Sequence, residues 1–504
     1  MKFLNKLFLI SLSVMLLSSC TDEFEEINTN PTSPAQVPGD FLFTNVQWNS
    51  QQQGFWVREV LHLGNWMQHY GNQNSGFTMA HYFDRGQDMA GFWNDNYDLL
   101  FDLTKAVEEI DAQDGEGEFA NVKKAVIEIQ AVQIWYYMTQ MLGDIPYSEA
   151  LQPEQNTSPV YDPQENIIAD LFNRLDAAIS TLQGASIAAF GGADIFYGGE
   201  PQQWVKYGNS LMLKMAMGIE NGDPSLASQR AGQALQGPLL ESTADNAVLP
   251  TDNGGPAFRH PMWNLDGLAT SDRPLLGETF VNTLISTNDP RLPIIASPTE
   301  RSVAAGSPEF KGVPAAPDDA LYGEINANLD DFSFPNSDWM SGRATNYDKG
   351  INRMTFAEIS FYKAEAVLKG YGAGDAQQFF EEGIRAAMTV APFTDAGLTE
   401  DQINSYIAEN GTLTGSESEQ LEQIHTQLWI QHFMDQEYDA YLDWRRSGFP
   451  QLIPGPNPGE TSGVIPRRFK YSENEPVVNE ASYNAAVGGL SQGDSYLSRV
   501  WSDQ

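Results

Sequence analysis

The side chains that could do acid–base or metal chemistry are 67 carboxylates and six histidines: His62, His69, His81, His260, His425 and His432. Among so many acids, pairs at glycosidase spacing arise by chance. A general acid also needs a raised pKa in an apolar cleft, which a sequence does not display. His62 and His69, like His425 and His432, stand seven apart and can share a helical face. Neither pair forms a His-Glu-x-x-His site, so surface or packing roles are expected, with no metal. No phosphate loop is present, because Gly370 to Gly374 lacks a following Lys-Ser or Lys-Thr. Nothing in these patterns requires catalysis or a cofactor, and the expectation is a protein that is not an enzyme.

Binding chemistry is better represented. Three long irregular stretches, Gly64 to Gly91, Gly237 to Ser302 and Gly306 to Ile351, carry Trp66, His69, Tyr70, Tyr82, Trp263, Asp266, Tyr322, Asp338, Trp339 and Arg343. Sugar rings stack their C–H faces on indole or phenol, and their hydroxyls need Asn, Asp, Gln or Arg partners. Trp66-Met67-Gln68-His69-Tyr70-Gly71-Asn72-Gln73-Asn74 offers both kinds of group. The other account of such aromatics is that they anchor long loops to a core. The ligand surface is expected around Trp66, Trp263 and Trp339, whereas Trp93, Trp135, Trp204, Trp429 and Trp444 fall in helical positions and are expected to be structural. Arg445 and Arg446 are expected to pair with acids.

Cys20 is the only cysteine, so disulfides and thiolate metal sites have no partners to form from. Ahead of it lie Lys2 and Lys6, an apolar run from Leu7 to Leu17, and the small residues Ser18 and Ser19. That run is too short for a bilayer span, which takes about 20 apolar residues, and reads as a cleaved export signal over residues 1–19. It resembles a bacterial lipoprotein signal, which implies acylation of Cys20. Each buried CH₂ adds roughly 0.8 kcal/mol, so two or three chains on one residue anchor a protein firmly. Residues 20–40, with Asp22-Glu23-Phe24-Glu25-Glu26 and the stiff Asn30-Pro31-Thr32-Ser33-Pro34, form an acidic tether.

The net charge of −39 becomes −41 once Lys2 and Lys6 leave with the signal. Such a field excludes nucleic acid or an anionic membrane as an electrostatic partner. Helical periodicity dominates the rest: Phe92–Ile110, Val122–Leu142, a helix after Asp162-Pro163-Gln164-Glu165, Trp204–Ile219, Met354–Leu368, Ala376–Met388, and Leu421–Met434 as the last strong helix. The Asp162 carboxylate is expected to cap the third of these. Short Gly turns between such helices suggest stacked hairpins, although no clean 34-residue repeat is present. No linker composition divides residues 41–504, so one domain is expected.

The chain resembles the SusD/RagB family of outer-membrane nutrient-binding lipoproteins over nearly its whole length. The likeness rests on ordered blocks: Leu142-Gly143-Asp144-Ile145-Pro146 closing a long helix; Asp194-Ile195-Phe196-Tyr197-Gly198-Gly199 with Trp204, Asn209, Ser210 and Leu211; and Asn288-Asp289-Pro290-Arg291. Later blocks are Ala357-Glu358-Ile359-Ser360-Phe361-Tyr362-Lys363-Ala364-Glu365, then Tyr438-Asp439 to Trp444-Arg445-Arg446-Ser447-Gly448, then Pro466-Arg467-Arg468-Phe469. Glu200 follows a second glycine where the family usually has its acid one place earlier. The resemblance implies a mainly α fold of tetratricopeptide-like hairpins with a loop-rich ligand-binding layer. It also implies a TonB-dependent SusC-like barrel as partner and an oligosaccharide ligand, with peptide as the alternative. Acids after the lipidated cysteine resemble the signal Bacteroidetes use to export lipoproteins to the outer face of the outer membrane.

Overall fold

The computed structural model describes residues 37–83, 85–251, 259–262, 273–336, 350–457 and 459–504. Cys20, Trp263, Asp266, Asp338, Trp339 and Arg343 lie outside them. Helices of nine residues or more are α1 (Gly39–Gln52), α2 (Gly86–Gln113), α3 (Glu118–Leu142), α4 (Gln164–Gln183), α5 (Pro201–Gly218), α6 (Pro224–Ala234) and α7 (Glu278–Ser286). They continue with α8 (Asp319–Ala327), α9 (Phe356–Leu368), α10 (Ala376–Met388), α11 (Glu400–Asn410), α12 (Glu417–His432), α13 (Glu437–Ser447) and α14 (Glu480–Gly489). A π-helical segment, Phe55–Leu63, lies between α1 and α2. Strands are vestigial and antiparallel: β1 (Tyr70–Gly71) pairs β5 (Leu275–Leu276), β2 (Ile145–Pro146) pairs β3 (Tyr161–Asp162), and β4 (Ala247–Leu249) pairs β6 (Ile351–Met354).

Sequence neighbours pack as spatial neighbours. Each of α1 to α5 lies against the next helix, α9 lies on α10 and on α5, and α12 lies on α9 and α13. The mainly α, paired-helix architecture is therefore present. α3 is buried on nearly every side, from Ala120 to Leu142, as expected of a helix with no polar face. Gly143 ends it with φ +87°, a backbone region open to glycine. The next residue does more than turn the chain. Asp144 Oδ1 accepts from the backbone N–H of Gln164 at 2.9 Å and so caps α4. Asp162 does not cap that helix. It lies in β3, and its carboxylate accepts from the Tyr147 and Ser148 backbone at 3.2 and 2.8 Å.

The other blocks have equally local causes. Asp194 gathers its loop by accepting from Gln47 Nε2 (2.8 Å), Gly199 N (2.7 Å) and Trp204 Nε1 (2.7 Å). Asp289 holds Arg291 in a buried two-pronged pair at 2.9 and 2.6 Å. Arg468 donates to Leu142 O at 3.0 Å and Phe469 N to Met141 O at 2.8 Å, which straps the C-terminal region over the end of α3.

Between α5, α9, α12 and α13 runs a buried ionic network. Lys214 meets Glu358 at 2.7 Å and Asp439 at 2.6 Å. Arg446 meets Glu365 at 2.7 Å and Asp443 at 2.5 Å, and His425 meets Asp443 at 2.8 Å. All are nearly or fully removed from solvent. This explains why α12 is not the last strong helix. α13 is charge-rich, so hydrophobic periodicity overlooks it, yet it is buried because every inward charge has a partner. Arg446 pairs with acids as expected, whereas Arg445 donates to the Gln140 and Arg467 carbonyls at 2.7 and 3.1 Å.

Two outcomes follow. Trp204 has no exposed surface, so Trp204→Ala should cost about 3–5 kcal/mol in denaturant unfolding. Burial lowers the His425 pKa, but Asp443 and Glu365 outweigh it and hold it at about 9, against 6.5 ordinarily. Its contribution to stability is therefore complete below about pH 6.5 and lost as pH rises through about 9. Unfolding measured across that window should show wild type losing stability relative to His425→Gln.

Candidate functional site

The described residues frame a polar cleft between the C-terminal end of α1, the π-helical segment, α2, α3, β6 and the start of α13. Its enclosed part is small, about 50 Å³, and opens to solvent at the mouth. Half-exposed Asn49, Ser50, Asp95, Asn96 and Asn352 line the mouth, with exposed Gln53 beside them. Arg58, Glu59, Tyr137, Arg353, Asp435 and Asp439 line the buried part.

The π-helix is what brings charge here. The run Phe55-Trp56-Val57-Arg58-Glu59-Val60-Leu61 is apolar apart from its central pair, and π turns are rare and concentrate at functional sites. Gly54 enters the segment at φ +68°, and a Cβ there would collide with the Arg58 guanidinium. Arg58 donates to Asp95 Oδ2 at 2.8 Å. Burial acts against its charge, but Tyr438 and Asp95 outweigh burial and hold it protonated. Glu59 is pushed the other way. Burial first, then the nearby Glu437, Asp435 and Asp439 carboxylates, raise its carboxyl well above the usual range. Burial and the neighbouring carboxylates thus favour the protonated form of the Glu59 carboxyl at the floor.

The remaining floor groups are held by one another. Tyr137 donates to both Asp439 oxygens at 2.8 and 3.0 Å, and Lys214 completes that carboxylate's shell. Arg353 donates to Gln133 Oε1 at 3.1 Å, and with its amide turned, Gln51 accepts from Arg353 Nη1 at 2.7 Å. Asn352 Nδ2 donates to Asp435 Oδ2 at 3.2 Å. The cleft can thus offer amides, a hydroxyl and a carboxylate at its mouth over a pre-set polar floor, a donor set matched to hydroxylated ligands.

The aromatic residues expected to bind ligand lie elsewhere where they are described. Trp66 has no exposed surface: its Nε1 donates to Met79 O at 2.9 Å and its ring packs on Tyr441, Phe469 and Tyr496. His69 is fully buried between Glu437 (2.7 Å) and Trp429 O (2.9 Å). Tyr70 packs on Phe433, Tyr82 is fully buried, and Tyr322 is buried and hydrogen-bonded to His81. For Trp66, His69, Tyr70, Tyr82 and Tyr322 the correction is that they are packing anchors, because a ring without accessible surface cannot stack on a ligand. His62, His425 and His432 are likewise interior residues, which settles their roles as packing and not surface. The structure brings none of these side chains to a common outer face.

The cleft residues escaped sequence reading because Asn, Gln and Asp are common. The one legible signal was the charged pair Arg58-Glu59 inside an apolar run. Two other patterns are spent on structure. Glu365, His425 and Asp443 are close enough to share a cation, but the Arg446 guanidinium supplies that charge. Gly489-Leu490-Ser491-Gln492-Gly493 matches a nucleophile-elbow pattern, yet it follows the end of α14 instead of joining a strand to a helix.

The family model for SusD-like proteins, described as starch-binding and associating with the outer membrane, matches residues 30–472. A chitin-binding protein of known structure is similar at TM-score 0.79 and 24% identity over 92% of this chain and 100% of its own. A SusD homolog from Bacteroides fragilis gives 0.78 and 24% over 93% and 100%. A chitin-binding SusD homolog from Flavobacterium johnsoniae gives 0.75 and 22% over 92% and 97%. At such identities the structures establish a shared fold. No curated protein matches the chain.

Gly54→Ala should displace Arg58 from Asp95 and cost about 1–2 kcal/mol through the left-handed backbone alone. A melting curve checks the cost, and a crystal structure of the variant checks the ion pair.

Proposed function

The chain belongs to the SusD-like family, and from that premise we propose that it is a lipid-anchored outer-membrane protein, facing the exterior, that binds oligosaccharides and hands them to a SusC-like TonB-dependent barrel. The observation that carries the ligand class is the cleft: amides, a hydroxyl and the Arg58-held Asp95 carboxylate at the mouth, over a floor whose polar groups are already engaged with one another. A sugar presents many neutral donors and acceptors in fixed directions, and such a surface satisfies them without a net charge in the ligand. The lipoprotein-like signal ending at Cys20 supports the anchor, and the family's outer-membrane association supports the location. The chitin-binding relatives support a glycan over a peptide. Trp263 and Trp339, with Asp266, Asp338 and Arg343, are retained from the sequence as stacking and hydrogen-bonding candidates of a loop-rich ligand layer.

Binding without turnover is the expected mode. A raised Glu59 near other carboxylates has the chemistry of a glycosidase acid. However, it lies at the narrow floor with its carboxyl beside the Glu437 backbone, away from the mouth where a glycosidic oxygen would rest. Purified protein should release no product from a polysaccharide panel.

A glycan array followed by titration calorimetry tests the ligand. Each neutral hydrogen bond is worth about 0.5–1.5 kcal/mol, so Asn49→Ala and Asn96→Ala should each weaken oligosaccharide binding roughly two- to tenfold with the melting temperature unchanged. Binding to peptides alone would replace the glycan with the peptide reading. Glycan binding untouched by either change would move the site off this cleft.

A further inference from the structure

Among the described residues, Val477 is 84% exposed, Val478 59% and Val160, from a distant part of the chain, 48%. These three do not belong to a loose tail. Asn479 Nδ2 donates to Pro159 O at 2.8 Å, and Tyr161 OH donates to Glu475 Oε2 at 2.6 Å, so the residues flanking the valines on both segments are pinned together. The Tyr161 ring then lies against Trp93 and Tyr471, with centroids 5.9 and 5.4 Å apart. The result is a stiff apolar platform on solvent, a feature that soluble surfaces use sparingly and that marks contact sites.

Charge restricts what can cover it. No Lys or Arg occurs from Ile145 to Asn173 or from Tyr471 to Ser498, whereas Glu149, Glu154, Glu473, Glu475 and Glu480 do. The surface that fits is an apolar recess ringed by Lys and Arg. A second copy of this chain carries the same acidic rim and would repel it. Placement points the same way. α2 lines the cleft with Phe92, Asp95, Asn96 and Leu99. Its adjacent face meets the platform through Trp93, and Tyr97 OH donates to Pro146 O at 2.7 Å. Ligand cleft and platform are thus neighbouring faces of one helix.

We propose that the Val160–Val477–Val478 platform is the surface that docks this protein on its transporter barrel, in an apolar recess rimmed by basic residues. This rests on the transporter reading above.

The test uses full-length lipidated protein produced with its own membrane and extracted in mild detergent. Val477→Glu with Val478→Glu should reduce the co-purified barrel by about tenfold or more, while the melting temperature and oligosaccharide affinity stay at wild-type values. Val477→Ile should retain the barrel, and wild-type recovery of it should fall as salt rises, because opposite charges at a rim are screened. If the double variant retains the barrel as well as wild type does, this interface is wrong and the transporter reading stands. If wild type itself brings no barrel, both fail. If the change abolishes self-association instead, as read by sedimentation, the occupant is a second copy and the proposal is overturned.

Discussion

The constraint on which the rest depends is that α13 must bring Asp439, Asp443 and Arg446 into the interior and find every charge answered there. Lys214 from α5, Glu358 and Glu365 from α9, and His425 from α12 supply the answers. Taking these ions out of water costs several kcal/mol each, and good geometry returns most of it, so the network adds little to net stability. What it adds is selectivity of arrangement. Sliding α9 or α13 by one turn would leave a buried charge without a partner, a far larger penalty than a repacked apolar side chain incurs. The network thereby fixes the register of four helices, and with it the position of Asp439 at the floor of the cleft.

That division of labour separates the residues that define the family from those that would meet a ligand. The motif carboxylates Asp144, Asp194 and Asp289 and the motif arginines Arg291, Arg446 and Arg468 all spend their hydrogen bonds inside the protein. The cleft mouth is made instead from Asn49, Ser50, Asn96 and Asn352, which belong to no motif. A scaffold built this way can change what it binds while keeping its internal connections, in keeping with a fold shared at only 22–24% identity.

Reading the sequence was most successful where one physical cause acted locally. Periodicity marked α3 as Val122–Leu142, α9 as Met354–Leu368 and α10 as Ala376–Met388, against Glu118–Leu142, Phe356–Leu368 and Ala376–Met388 in the structure. It failed where the cause was remote. Asp162 stood at the expected cap position of α4, but the β2–β3 pairing turns its carboxylate to the Tyr147 and Ser148 backbone, and Asp144, 20 residues upstream of Gln164, takes the cap. The aromatics of Gly64 to Gly91 read as ligand platforms because the segment lacks periodicity. It is instead wound into a single α-turn (Gly64–Trp66), β1, a short 3-10 turn (Thr78–His81) and the start of α2, and its rings fill the core. Beyond the Arg58-Glu59 pair the cleft could not be read, since its walls come from six elements whose meeting is a tertiary event.

The strap at the end of the chain has a consequence for timing. Ser502 donates from its backbone to Gln164 Oε1 at 3.0 Å and from its hydroxyl to Gln140 Oε1 at 2.8 Å. Arg467 pairs with Asp503 at 2.9 Å while Arg445 grips the Gln140 carbonyl. The junction of α3 and α4, formed early in synthesis, is thus closed by residues 338 and 362 positions later. Contacts this distant are slow to find, because a long loop must close before any of them is rewarded. Until those residues arrive, the N-terminal helices have an open seam, so the α3–α4 junction is completed only when the C-terminal strap is in place.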